Sequence, residues 1–253
     1  MGKERYSDHR GIMHRGLPGL SNVPAIPLPG GHRLVRQDHT FFGAITTTDV
    51  VPPGWTVKAT SGTIASADIQ GGGIVMNCPG TIEDYAQISL GTVGGGAYFP
   101  AAGYDIVYYV RMKASITGVA SNENIAFGLI DTEDSEYYAD GGGGCTINRI
   151  AISKLLNETD WSIEVGSTGG DLTRQSLDTA RAPANLTVQE FVVRITELGE
   201  VRVYVDGHYQ ASDKITNDIP ATGLMPFFFI KAGDTEVEAL YPLEWYSALL
   251  KVE

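Results

Sequence analysis

The densest group of chemically able side chains in this 253-residue chain is the run Asp131-Thr132-Glu133-Asp134-Ser135-Glu136-Tyr137-Tyr138-Ala139-Asp140, followed by four glycines at 141–144. Asp131, Glu133, Asp134 and Asp140 offer the hard oxygen ligands that Ca²⁺ takes. Tyr137 and Tyr138 offer flat faces that stack on a sugar ring, and they serve equally well to cap the edge of a sheet. The run lacks the alternation and the glycine placement of an EF-hand loop. No metal is therefore assigned, and calcium is the one cofactor these residues suggest.

Other chemistries find no footing. There is no Gly-x-Ser-x-Gly elbow to expose a nucleophilic serine. The glycine runs at 71–73, 94–96 and 141–144 follow no strand-to-helix pattern, so they are not phosphate cradles. Cys78 and Cys145 have neither metal spacing nor a disulfide framework, and both read as reduced, buried thiols. Asn157-Glu158-Thr159 and Asn185-Leu186-Thr187 match the glycosylation pattern, which matters only on a secretory route. The polar start Met1-Gly2-Lys3-Glu4-Arg5-Tyr6 leads into no apolar h-region. No run approaches the roughly 18 apolar residues of a membrane span. The expectation is a soluble protein made in a cytoplasm, with no membrane partner.

Charge divides the chain. Residues 1–39 hold six basic and three acidic side chains, a net of +3, while the remainder carries −15. The overall −12 thus hides a basic extension on an acidic body, and it argues against nucleic-acid binding through overall charge. Four histidines (His9, His14, His32, His39) and four prolines (Pro18, Pro24, Pro27, Pro29) fall in the same segment. Those histidines are too scattered for metal spacing. Proline removes donors and biases its predecessor toward extended conformations, so residues 1–39 read as an extended arm. Disordered tails are poor in aliphatics, whereas this one is rich in them. Arg5, Arg10, Ile12, Arg15, Leu17, Leu20, Val23, Ile26, Leu28, Arg33 and Arg36 are the positions expected to bind a partner subunit.

The elements that must position any site are strands. Only 19% of residues are charged and 31 are glycine, a texture of turn-rich β structure. From residue 40, short β-branched and aromatic runs alternate with Gly, Pro, Asn and Asp clusters. Strands are expected at 55–60, 62–70, 74–78, 85–90, 104–114, 125–131, 145–153, 161–166, 188–196, 201–205, 209–213, 224–231 and 243–252. Leu198-Gly199-Glu200 and Asp206-Gly207 are the two specified hairpin turns, because glycine readily takes φ > 0. So many strands without intervening helices predict a sandwich or barrel, one domain over residues 40–253.

Several passages resemble the concanavalin A-like lectin/glucanase jelly roll. Trp55-Thr56-Val57 leads into Ser61-Gly62-Thr63-Ile64, and the aromatic strand at 104–113 follows. Phe127-Gly128-Leu129-Ile130-Asp131 is similar to the "fGl.d" strand of such domains. Arg194-Ile195 with Val203-Tyr204-Val205-Asp206-Gly207 is similar to their paired strands ending in "v.vDG". The segment from Leu243-Glu244-Trp245 to Val252 looks like their closing strand. The resemblance implies an all-β, two-sheet antiparallel jelly-roll sandwich. Lectin-like domains often bind calcium, and glycosidases of this architecture share Glu-x-Asp-x-x-Glu. Asp131-Thr132-Glu133-Asp134 and Glu236-Val237-Glu238 depart from that motif, and Glu244 has no acidic residue two positions away. No catalytic residue is assigned, and a non-enzyme is expected. Jelly rolls with such an arm resemble structural proteins of tailed-phage virions, capsid decoration or cement proteins above all. The resemblance implies a virion location, the major capsid protein or other virion subunits as partners, and a homo-oligomer. The alternative is a carbohydrate- or receptor-binding module on a phage tail or surface fibre, with a glycan partner.

Overall fold

The computed structural model describes residues 32–41, 54–66, 73–81, 84–91, 98, 100–115, 123–132, 147–166, 172–210, 215–216, 218–233 and 238–252. Its strands are β1 (His32–Phe41), β2 (Trp55–Thr60), β3 (Thr63–Ser66), β4 (Ile74–Cys78), β5 (Tyr85–Leu90) and β6 (Tyr104–Ser115). Then come β7 (Glu123–Ile130), β8 (Arg149–Lys154), β9 (Ser162–Gly166), β10 (Leu172–Ser176) and β11 (Gln189–Ile195). The last are β12 (Val201–Val205), β13 (His208–Tyr209), β14 (Met225–Ala232) and β15 (Glu238–Val252). One sheet runs β13-β12-β11-β6-β15-β4-β3, with β1 also paired to β15, and holds eight strands. The other runs β10-β9-β8-β7-β14-β5-β2 and holds seven. All the strand ladders are antiparallel, so the expected all-β, two-sheet sandwich is what forms.

Alternation decides which side chains enter the space between the sheets. Ile106, Tyr108, Val110 and Met112 of β6 face it from one sheet, and Ile125, Phe127 and Leu129 of β7 from the other. Aromatic rings cross the interior as one cluster, with Phe228 meeting both Trp55 at 5.9 Å and Phe127 at 6.5 Å. Trp55 meets Trp245 edge-on at 5.4 Å, and Phe127 meets Phe191 at 4.9 Å, with Trp161 on Phe191 at 5.3 Å. Each such pair adds about 0.5–1.5 kcal/mol beyond the area it buries. The buried indole N–H of Trp161 donates to Gln189 Oε1 at 3.1 Å. Cys78 is buried with its thiol donating to the Ile230 carbonyl at 3.3 Å.

Both specified turns form as expected. Asp206 and Gly207 take φ of 49° and 77° between β12 and β13, and Gly199 takes 73° between β11 and β12. Asp206 Oδ1 also accepts from the Glu190 amide at 2.9 Å, which ties the turn to β11.

The boundary drawn after His39 falls inside a strand. Residues 32–41 pair along β15, with Arg33 opposite Lys251 and Arg36 opposite Leu249. The backbone of Arg33 and Arg36 therefore belongs to the sandwich's own sheet and not to a free arm. Pro29, Gly30 and Gly31 just before, and two Arg, two His and one Asp within, masked the strand pattern. β15 serves as the spine of this sheet. One edge pairs with β6, while the other takes β4 at 238–240 and then β1 at 244–252. Pro242 sits at the register shift opposite β6 and in the gap between those two partners, where a strand tolerates the loss of a donor.

Candidate functional site

One end of the seven-stranded sheet collects polar side chains from three separate segments. Asp131 leaves the end of β7, Asn148 immediately precedes β8, and Thr222 precedes β14. The Asn148 side-chain amide donates to Asp131 Oδ2, and the Thr222 hydroxyl reaches the same oxygen at 3.4 Å. A backbone bond from the Asp131 amide to the Asn148 carbonyl, 3.1 Å, locks the two segments together. Both side-chain bonds fall on Oδ2. Oδ1 is buried and has no hydrogen-bond partner. A buried carboxylate oxygen without a donor costs free energy until something supplies one. Asp131 Oδ1 therefore keeps the capacity to accept a further hydrogen bond.

A charged row runs from that corner across the sheet's outer face. Strand register sets Ala151 of β8, Glu164 of β9 and Arg174 of β10 side by side. Glu164 is 1% exposed and accepts three bonds: Arg149 Nε at 3.0 Å, Ser153 Oγ at 2.7 Å and Arg174 Nε at 3.0 Å. The two terminal nitrogens of Arg174 grip Glu158. Burial works against the Arg174 charge. The hydrogen bond and charge of Glu158, joined by those of Glu164, outweigh it and hold the proton more tightly than usual. Arg149 Nη1 donates to the Ile147 carbonyl at 3.1 Å. Glycosidase chemistry wants one carboxylic acid and one free carboxylate flanking a scissile bond. Here Glu158 and Glu164 are both committed to guanidinium groups, so the row supports the sheet and the corner beside it.

Beyond the row the outer face becomes small and then aromatic. Gly128 and Ala126 of β7 stand opposite Phe227 and Phe229 of β14. These four face positions lie between the charged row and Gln87 of β5, which is opposite Phe229. Tyr85 stacks on Phe229 at 6.1 Å.

Of the residues singled out in the sequence, Asp131 is placed at the corner. Glu133, Asp134, Tyr137, Tyr138 and Asp140 lie outside the described residues, as do Arg5, Arg10, Ile12, Arg15, Leu17, Leu20, Val23, Ile26 and Leu28. Glu244 is buried in β15. Sequence reasoning missed Asn148, Thr222 and the Arg149–Glu164–Arg174 row. The row did leave a trace: single charges stand within Arg-Ile-Ala-Ile-Ser, Ser-Ile-Glu-Val-Gly and Leu-Thr-Arg-Gln-Ser, on positions that adjacent strands bring to one face. Asn148 and Thr222 left none, because only the aligned ends of β7, β8 and β14 bring them to Asp131.

No family model and no curated protein matches the sequence. Among solved structures, the fold is similar to the Emp47p carbohydrate recognition domain, with TM-score 0.54 and 11% identity over 83% of this chain and 94% of that one. It is similar to lectin UEA-II complexed with galactose, with TM-score 0.54 and 11% identity over 86% and 99%. It is also similar to the endo-1,3-β-glucanase of Streptomyces sioyaensis, with TM-score 0.56 and 11% identity over 89% and 98%. The architecture is thus a concanavalin A-like jelly-roll sandwich. At this identity the likeness speaks for fold alone.

Proposed function

We propose that the protein is a non-enzymatic carbohydrate-binding module whose ligand docks at the Asp131 corner. The observation that carries this reading is the buried, unpartnered Oδ1 of Asp131. Sugar hydroxyls are neutral donors that fit such an oxygen, and the Asn148–Asp131 bond holds it in one orientation. In this reading Tyr137 and Tyr138, in the run that Asp131 opens, supply the stacking face. Similarity of fold to a carbohydrate recognition domain and to a lectin crystallised with galactose supports the reading. A glycan array probed with the wild type and Asp131→Asn, each with and without EDTA, tests it. The wild type is expected to retain a defined set of glycans, and the variant to lose at least about tenfold in affinity, as removal of a charged acceptor predicts. Loss on EDTA alone assigns a calcium role to Asp131, Glu133, Asp134 and Asp140. Silence of the wild type in both conditions overturns the reading.

The N-terminal extension favours a second reading, in which the body is mounted on a virion as a capsid decoration protein. β1, the end of the extension, pairs along β15, the spine of its sheet. A basic, aliphatic, proline-stiffened strap suits acidic and apolar seams between shell subunits, and repetition on a lattice multiplies each weak contact. The partners would be the major capsid protein or other virion subunits, together with further copies of this chain. Deleting residues 1–31 leaves β1 and the sandwich in place. The truncated protein is expected to stop co-sedimenting with particles, and full occupancy without the strap would overturn this reading.

A further inference from the structure

We propose that the space between the sheets holds an internal hydration site, one or two neutral water molecules bound by Tyr108, Ser247 and Trp245. Tyr108 Oη, Ser247 Oγ and Trp245 Nε1 are each buried without a hydrogen-bond partner. The three are neighbours by construction of the sheet. Ser247 of β15 stands directly opposite Tyr108 of β6, and Trp245 is two residues along β15 on the same face. Side chains directly opposite in antiparallel strands have Cβ atoms about 4.5–5.5 Å apart, and i,i+2 neighbours about 7 Å. Tyr108 and Trp245 both belong to the core between the sheets, which places the orphaned atoms inside the sandwich and not on its surface. Tyr98 adds a fourth polar group, its hydroxyl reaching the Ser247 carbonyl at 3.5 Å.

Three orphaned groups on adjoining positions differ from three scattered ones. A lone buried hydroxyl is a small penalty that a fold can carry. A cluster with two hydroxyls and an indole N–H supplies the two to four partners that a buried water requires. The occupant must be neutral. None of the three side chains is ionised, and burial pushes the Tyr108 phenol well above its ordinary range, so it stays protonated. An ion here would lose its hydration with no countercharge to replace it. The cluster also explains why β6 and β15 carry a tyrosine and a serine in mid-core, where phenylalanine and alanine would pack. A satisfied polar group inside a sheet pair marks one register among those that an apolar stripe would allow.

The test rests on a difference in sign. If the Tyr108 hydroxyl is bound to water, Tyr108→Phe breaks a hydrogen bond and lowers the thermal midpoint by about 2–4 °C for a chain of this size. If the hydroxyl is dry, the same change removes an unsatisfied group and leaves the midpoint unchanged or raises it. Ser247→Ala is expected to behave alike, and the double variant to lose less than the sum of the two, since both changes empty one site. Additive losses would overturn the shared site. A crystal structure at high resolution gives a readout independent of stability. Ordered density within hydrogen-bond distance of Oη and Oγ is expected, and direct van der Waals packing there would overturn the proposal.

Discussion

The seven-stranded sheet carries a buried charged row on its outer face, where Arg149, Glu164 and Arg174 are joined by bonds of 3.0 Å. The eight-stranded sheet carries three buried neutral polar groups on its inner face, where the side-chain polar atoms of Tyr108, Trp245 and Ser247 have no partner among the protein's own atoms. The difference follows from what each kind of group costs to bury. An unpaired ion inside a protein is prohibitive, so charge enters only with countercharge and hydrogen bonds arranged around it. An unpaired hydroxyl or N–H costs about 1–3 kcal/mol, which a large core offsets. These two clusters therefore tolerate opposite injuries. One is sensitive to losing a partner, the other to losing a hydrogen-bonding atom that only solvent can satisfy.

The sharpest way to break this contrast is Glu164→Ala. The substitution leaves Arg149, 2% exposed, without the carboxylate that neutralises it. Removing one member of a buried pair costs about 3–5 kcal/mol, and urea denaturation should show a loss in that range. Glu200→Ala is the internal control. Its Arg202 partner is 24% exposed, so that loss should stay below about 1 kcal/mol. Equal losses for the two variants would show that the outer face is wet and that the contrast between the sheets is false.

Much of the sandwich was legible because its cause is local. β2, β4, β5 and β12 begin and end where alternation and turn residues place them. The Asp206-Gly207 and Gly199 turns follow from φ > 0 alone. β10 was missed because its sequence, Leu-Thr-Arg-Gln-Ser, shows no apolar alternation; it is an edge strand held by pairing to β9 and by the bonds of Arg174 to Glu158 and Glu164. β1 reads as arm because charge and proline dominate its surroundings, while its place is fixed by a partner more than 200 residues away in sequence. The corner was half legible. Asp131 stood in an obvious acidic run, but Asn148 and Thr222 are ordinary polar residues until β7, β8 and β14 align their ends.

A single glycine sharpens the comparison from the packing side. Gly128 lies mid-strand in β7 with φ of 152°, a backbone that side chains rarely adopt. A Cβ there would sit 2.4 Å from the Ile150 carbonyl oxygen and 2.7 Å from the Ala151 Cα. Both are backbone atoms of the neighbouring strand, so relief requires β7 and β8 to part. Gly128→Ala is expected to lower stability by about 2–4 kcal/mol, the sum of backbone strain and overpacking. Because β8 also carries Arg149 and Ser153, the variant should in addition loosen the bonds to Glu164. Amide exchange in β8 and β9 is expected to quicken more than in β11 and β12. Uniform quickening would mean that the two sheets answer to injury as one body.

The smallest effect at neutral pH comes from the inner face and grows only in alkali. Burial raises the phenol of Tyr108 well above 10.0, and burial likewise raises that of Tyr246 on the opposite face of the same sheet. The unfolded chain releases those protons from about pH 10 upward, while the folded chain retains them. For such a group the stabilising contribution is complete below the unfolded pKa and is lost as pH climbs toward the folded value. The ionisation of these tyrosines should thus contribute nothing to the pH dependence of stability near pH 7. Above pH 10 it should fall by about 1.4 kcal/mol per pH unit for each phenol still protonated in the fold. Tyr108→Phe removes one such phenol, so its stability curve should be flatter than the wild type's in alkali while lying below it near neutrality. The two curves are expected to approach each other as pH rises through this window. Parallel curves would show that the Tyr108 phenol ionises in the folded chain as readily as in the unfolded one, and that the inner face of the eight-stranded sheet is open to water rather than sealed around it.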